Sequence, residues 1–355
     1  MADHLRIRDL KVGFQTFDGF VEILDIGDIH IEKGEAYGLV GESGAGKTVL
    51  ALAILGLLRQ PPAEVKAEEL SLDGEPLLEK SQKELREIRG RRISMILQDP
   101  MSALDPAFDV GYQLSEVIRL RNKMDRKEAR EKALEFMRMV ELPDPEMMLD
   151  KYPHQLSGGQ RQRIVIALAL ACGSQFLIAD EPTRNLDVTV QASVLKTIHR
   201  LREELGVSLL FIANNLSLVS VMCNRVGILL KGRIVETGRV RDILDDPLHP
   251  YTLDLLRAVP SKEEQLDEEE IKRDVEIADP SRSRCALYPR CKFRGPACEG
   301  DTAFELVSVS PTHSVACPYA LQSLAAASGA LATAGATTAS DAVAAADTHG
   351  GDQRG

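Results

Sequence analysis

Apolar and polar positions alternate with period two through 21–23 and again through 29–31, on either side of Gly27-Asp28. The stretch 4–40 therefore reads as strands separated by turns, with Gly34 turning the chain into a short apolar run at 36–40. An apolar helix opens near Lys47. Residues 70–75 read as a strand and turn, and 93–97 as a buried strand stopped by Asp99-Pro100. From about 109 to 172 the period lengthens to that of a helix, and 126–140 is the clearest amphipathic segment. After Asp180 the alternation of strand and helix returns, with a helix over 189–205 and strands at 208–213 and 226–230. This pattern predicts an α/β sheet with an inserted helical lobe spanning about 100–172.

Near Pro260 the pattern breaks. Residues 261–279 are rich in Glu and Asp and read as a charged linker or exposed helix. A cysteine-bearing segment follows, and from about 322 the chain is mostly Ala, Gly, Thr and Ser, which predicts a disordered tail. The expected division is a large domain at 1–260, a four-cysteine segment at 261–321 and a tail at 322–355. The 355 residues carry a net charge of −11 and no basic stripe, so nucleic acid is not an expected partner. No run of about 18 apolar residues is present to span a bilayer, and the N-terminus does not read as a signal peptide. The chain is expected in a reducing, cytosolic setting, where its cysteines are ligands or core thiols rather than disulfides.

Chemistry enters at Gly41, Glu42, Ser43, Gly44, Ala45, Gly46, Lys47 and Thr48. This segment follows the strand at 36–40 and opens an apolar helix, the context that a phosphate-binding loop requires. Its glycines let backbone amides converge on phosphate, and the helix N-terminus adds a positive end. Lys47 is placed for the β- and γ-phosphates and the Thr48 hydroxyl for Mg²⁺. Further on, the apolar strand 176–179 carries Asp180 and Glu181 at its carboxyl end, where open α/β sheets bind ligands. Asp180 is the candidate Mg²⁺ partner and Glu181 the candidate base for an attacking water. Alone, the two acids also fit an ordinary exposed turn.

Between these segments stands Leu156-Ser157-Gly158-Gly159-Gln160, at the start of a helix running toward Cys172. Its amides and hydroxyl form a second anion nest. The order of the three segments resembles the ATP-binding subunit of ABC transporters, a P-loop NTPase fold with a RecA-like core, an antiparallel β subdomain and an inserted helical lobe. The resemblance implies that Ser157, Gly158, Gly159 and Gln160 close over ATP held by another subunit. It implies that Gln98 senses Mg²⁺ and water, that the loop 98–106 contacts membrane subunits, and that Asp187 belongs to the nucleotide side of an interface-crossing loop. Phe14 or Phe17 is the candidate for stacking on adenine, with Phe14 preferred, although either also reads as core.

The stretches 152–155, 178–183, 186–191 and 249–252 resemble the oligopeptide/dipeptide importer ATPases, over roughly residues 4–320. That implies a complex of two related ATPases, two transmembrane permease subunits and an extracytoplasmic substrate-binding protein. The chain would sit at the cytoplasmic face of the membrane. The implied cargo is peptide, or a related solute such as a nickel chelate, glutathione or an oligosaccharide.

Two positions depart from the family pattern. Asn214 stands where the family has a histidine that contacts the γ-phosphate and the attacking water, with Asn215 at the following aspartate. Arg184-Asn185 precedes Leu186-Asp187 where a small residue is usual. Asn cannot carry a proton or a charge, so the expectation is that the site on Lys47 and Glu181 binds ATP but hydrolyses it slowly, while the intact signature completes a partner's site. The alternative is that Asn214 substitutes adequately. Cys285, Cys291, Cys298 and Cys317 form a four-thiolate set, for which a [4Fe–4S] cluster is the first expectation, with structural zinc or unliganded thiols as alternatives. Cys172 and Cys223 read as core, and His313 as a surface residue. A soluble ABC ATPase of DNA repair or the ribosome fits poorly, since the chain has one ATPase unit and no coiled coil. A regulatory or redox-sensing subunit remains a competing function.

Overall fold

A computed structural model describes residues 3–257, 285–298 and 305–325. The acidic stretch 261–279 and most of the expected tail lie outside them. The chain runs through β1 (Asp3–Thr16), β2 (Gly19–Glu32), β3 (Ala36–Val40), α1 (Lys47–Ile54), β4 (Ala63–Lys66), β5 (Glu69–Leu72), β6 (Glu75–Pro76), α2 (Gln82–Ile88) and β7 (Ile93–Ile96). The helical lobe comprises α3 (Pro100–Ala103), α4 (Val110–Asn122), α5 (Arg126–Met139), α6 (Pro145–Met148) and α7 (Gly158–Leu170). Then come β8 (Phe176–Asp180), α8 (Val188–Leu205), β9 (Ser208–Ala213), α9 (Leu216–Met222), β10 (Arg225–Leu230), β11 (Arg233–Arg239), α10 (Val240–Asp245) and α11 (Pro250–Arg257). The C-terminal segment contributes β12 (Val307–Ser310) and β13 (His313–Val315).

β1 and β2 form one long antiparallel hairpin from Asp3↔Glu32 to Thr16↔Gly19. β4 and β5 pair with the other edge of β1, and β6 with β5. The second sheet has the order β12-β13-β11-β10-β3-β9-β8-β7. Its strands from β10 to β7 are parallel, and the three on the β11 side are antiparallel.

Alternation along β3 shows how the layers close. Ala36 and Val40 face a core shared with the helical lobe, whereas Tyr37 and Leu39 face a second core under the antiparallel sheet. All five residues of β3 are buried, as parallel strands covered on both faces must be. Caps set the lobe's helix starts. Asp125 and Glu128 form a reciprocal capping box on α5, and Ser157 and Gln160 another on α7. Arg163 of α7 donates to Ser193 Oγ at 2.7 Å and Thr197 Oγ1 at 3.0 Å, which ties the lobe to α8.

The C-terminal strands are continuous with the ATPase sheet, because β13 pairs with β11 through Glu236↔Val315. Glu236 is fully buried. It accepts from the Leu248 and His249 amides, from the Thr252 hydroxyl, and pairs with His313 Nε2 at 2.7 Å. His313 is thus a buried residue, contrary to the surface position expected from the sequence. A buried carboxylate needs such donors, and His313 is one that only the folded sheet brings within reach.

His249 sits in the same network. Burial pushes it from the ordinary 6.5 down to about 4, against the opposing pull of Glu236. Its neutral Nδ1 accepts from the Tyr251 amide at 3.1 Å. Between those two values the unfolded chain binds a proton that the folded chain refuses. Stability should therefore be full above about 6.5 and fall as pH drops toward 4, by on the order of 3 kcal/mol in all. Urea unfolding across this window should show that loss in the natural chain. His249→Asn keeps an acceptor but does not titrate, so it should flatten the profile; an unchanged profile would rule His249 out as its source.

Candidate functional site

The carboxyl ends of β3, β9, β8 and β7 lie side by side, and the chain leaves each of them into a candidate residue. The loop 41–48 follows β3, Asn214 follows β9, Asp180-Glu181 end β8, and Gln98 follows β7. Open parallel sheets collect ligands at this edge. Two glycines explain the loop's path. A Cβ on Gly41 would lie 2.3 Å from the Leu229 carbonyl oxygen, and Gly46 caps α1 at φ +104°. Larger residues have no place at either position.

Lys47 is only 4% exposed. Its ammonium donates to the carbonyls of Gly41 at 2.7 Å and Glu42 at 2.8 Å, and to Asn214 Oδ1 at 2.5 Å. Glu181 Oε1 stands 3.6 Å away. Burial pulls Lys47 below the ordinary lysine range, and the Glu181 carboxylate opposes that pull. The arrangement is a buried cation with exchangeable oxygen partners, which phosphate oxygens can replace.

Thr48 Oγ1 donates to Asp180 Oδ2 at 2.7 Å. The other oxygen of Asp180, Oδ1, is buried and has no hydrogen-bond partner among the described residues. Burial raises the Asp180 carboxyl above its ordinary range, with the Thr48 bond opposing. An orphaned carboxylate oxygen beside a threonine hydroxyl is a hard-oxygen donor pair, and it fits Mg²⁺. Glu181 has φ +43°, a left-handed conformation rare for a residue with a side chain. This turns its carboxylate back over the site. Oε2 accepts from Gln98 Nε2 at 3.1 Å and from Arg184 Nη1 at 3.1 Å.

The sequence flagged Arg184 only as a departure from family pattern, and gave no sign of its contact with Glu181. Asn214 is linked to Glu181 through Lys47, which stands nearest Oε1, whereas Arg184 donates to Oε2. The signature lies elsewhere. Ser157 Oγ accepts from the Gln160 amide at 3.3 Å and Gln160 Oε1 from the Ser157 amide at 2.9 Å. A Cβ on Gly159 would lie 2.5 Å from Val190 Cγ1, so that glycine allows α7 to approach α8. Among the described residues no hydrogen bond or ion pair joins 157–160 to 41–48. Asp187 caps α8, accepting from the Val190 amide at 3.0 Å. Phe14 is half-buried against the second core, while Phe17 at the hairpin tip is fully exposed.

All six cysteines are free thiols. Cys285, Cys291, Cys298 and Cys317 line one apolar pocket with His249, Tyr288, Phe293 and Tyr319. The expected metal set is not formed as such: among the described residues no group of three or more His, Cys, Asp or Glu converges closely enough to hold a metal ion. Burial raises Cys285, Cys291 and Cys317 above the ordinary thiol range. Cys223 packs against the first core and is raised in the same way, and Cys172 is half-buried.

Residues 24–184 match the ABC transporter family, and residues 235–298 match the oligopeptide/dipeptide transporter C-terminal region. A probable peptide ABC transporter ATP-binding protein of Sinorhizobium fredii is 42% identical, over 88% of this chain and 94% of its own. The oligopeptide transport ATP-binding protein OppD of Bacillus subtilis is 42% identical over 75% of this chain and 74% of its own. The probable D,D-dipeptide transport ATP-binding protein DdpD of Escherichia coli is 39% identical over 83% and 90%. Among solved structures, the ATP-binding cassette MJ0796, dimeric and bound to ADP and Pi, superposes with TM-score 0.60 at 25% identity, over 67% of this chain and 99% of its own. With its phosphate loop, acidic strand and signature in their family order on this fold, the chain belongs to the ABC transporter ATP-binding proteins, in the oligopeptide/dipeptide branch, and is an ABC-type ATPase.

Proposed function

We propose that the chain is the ATP-driven motor subunit of an importer for di- or oligopeptides. It works with a second related ATPase, two membrane-spanning subunits and an extracytoplasmic binding protein, at the cytoplasmic face of the membrane. The names of its relatives support peptide as cargo over other solutes. None of the described helices is long and apolar enough to cross a membrane, so the pore belongs to other subunits.

The observation that carries the reading is the Lys47 cluster with its signature set apart from it. In this reading ATP binds along 41–48, and phosphate oxygens displace the loop carbonyls and Asn214 from the Lys47 ammonium. Thr48 and Asp180 would hold Mg²⁺, which would supply positive charge to the nucleotide's phosphates. Gln98 orients the attacking water and Glu181 accepts its proton. Residues 157–160 offer their amides to ATP held by the partner ATPase, while the partner's signature covers the site here.

We further propose that this site is the slow one of the pair. Asn214 donates or accepts a hydrogen bond but adds no charge near the γ-phosphate, and its oxygen is engaged by Lys47. Arg184 adds a second pairing to Glu181, which must loosen before the carboxylate can take a proton. Losing an acid–base or charged contact of this kind slows turnover by about 10²–10⁴-fold. In the assembled complex, Glu181→Gln should therefore remove less than about a tenth of the ATP turnover, and the equivalent change in the partner nearly all of it. The reverse pattern would sink the asymmetric reading.

The four thiols around one pocket support a thiolate-held group. A [4Fe–4S] cluster is the proposed group, with a single zinc ion held by four thiolates as the alternative. Anaerobically purified protein should be brown and lose its colour in Cys298→Ser. Colourless protein carrying one zinc would overturn the cluster.

A further inference from the structure

Glu42, the second residue of the phosphate loop, is held at three atoms. Its carbonyl accepts from Lys47, its amide donates to Tyr251 Oη at 2.9 Å, and its carboxylate pairs with Arg290 at 2.5 Å. Tyr251 is 1% exposed and stands in α11. Arg290 comes from the cysteine segment. It precedes Cys291, and the amides of both residues donate to the Leu287 carbonyl, closing a tight turn beside the thiol pocket. Its guanidinium lies 5.7 Å from the centre of the Tyr251 ring. The two side chains that grip Glu42 therefore also grip each other, and one of them is built on the wall of the four-cysteine pocket.

Glu42 is electrostatically awkward where it stands. A carboxylate in a loop that cradles a triphosphate repels its ligand unless a cation neutralises it. Its amide points to Tyr251, which fixes that peptide plane and so the direction of the loop that follows. We propose that the cysteine segment is a positioning element of the nucleotide site: Arg290 neutralises Glu42, and together with Tyr251 holds the phosphate loop open for ATP. The order of the thiol pocket and nucleotide affinity are then linked, each affecting the other by the same factor. This rests on the reading of 41–48 as the ATP site.

The test is a titration of the full chain with a fluorescent ATP analogue and Mg²⁺. Arg290→Gln should weaken binding by about three- to tenfold, because it leaves Glu42 charged and unneutralised beside the phosphates. Removing that charge as well, in Glu42→Gln/Arg290→Gln, should restore most of the affinity. A merely structural role for Arg290 would not give that rescue. Tyr251→Phe should weaken binding by a similar factor, with the nucleotide-free melting temperature nearly unchanged in Arg290→Gln. Unaltered affinity in Arg290→Gln, or a double variant no better than the single one, overturns the proposal. If the natural chain itself fails to bind the analogue, the ATP-site reading fails and takes this inference with it.

Discussion

A buried ammonium must be paired, and the site is organised by how Lys47 meets that requirement. Its partners come from three places along the chain: the loop carbonyls of Gly41 and Glu42, Asn214 after β9, and Glu181 after β8. They meet because β3, β9 and β8 are hydrogen-bonded neighbours whose carboxyl ends are in register. That register is held by two cores, one on each face of the sheet. A shift in either core would move one partner of a cation that cannot be left unpaired, so packing and chemistry are one constraint. The neighbouring Asp180 shows the converse. Its orphaned oxygen is a cost that folding accepts where a cation can later settle.

Charge around Glu181 is distributed unusually for the family. Asn214 is neutral where the family resemblance leads one to expect a histidine, while Arg184 pairs with the carboxylate. Gln98 and Arg184 donate to Glu181 Oε2, and the Lys47 ammonium stands 3.6 Å from Oε1. In the proposed asymmetry, the loop on this chain grips nucleotide while its signature serves ATP held across an interface.

The parallel strands and the three motifs were legible because each is local. The apolar run at 36–40, the Gly-Lys-Thr spacing and the acids after 176–179 all lie within a few residues of what they define. β5 was legible as the strand within 70–75, but β4 and β6 were hidden, since strands of four and two residues carry too little alternation to show a period. β12 and β13 were missed because they exist only by pairing with β11. His313 was read as exposed for the same reason: its partner Glu236 is 77 residues away. The contacts of Tyr251 and Arg290 with Glu42 span more than two hundred residues and leave no local trace. The cysteine spacing suggested a metal-holding set; among the described residues no such set is formed, and the four thiols line one pocket instead.

The most direct measurement restores the missing group. In a complex whose partner ATPase has its own catalytic carboxylate neutralised, all remaining turnover comes from the site on Lys47 and Glu181. Asn214→His in that background should raise ATP turnover by at least about tenfold, toward the 10²-fold that such a contact typically contributes. Turnover that is already high with Asn214, or that does not rise with histidine in its place, would contradict the account.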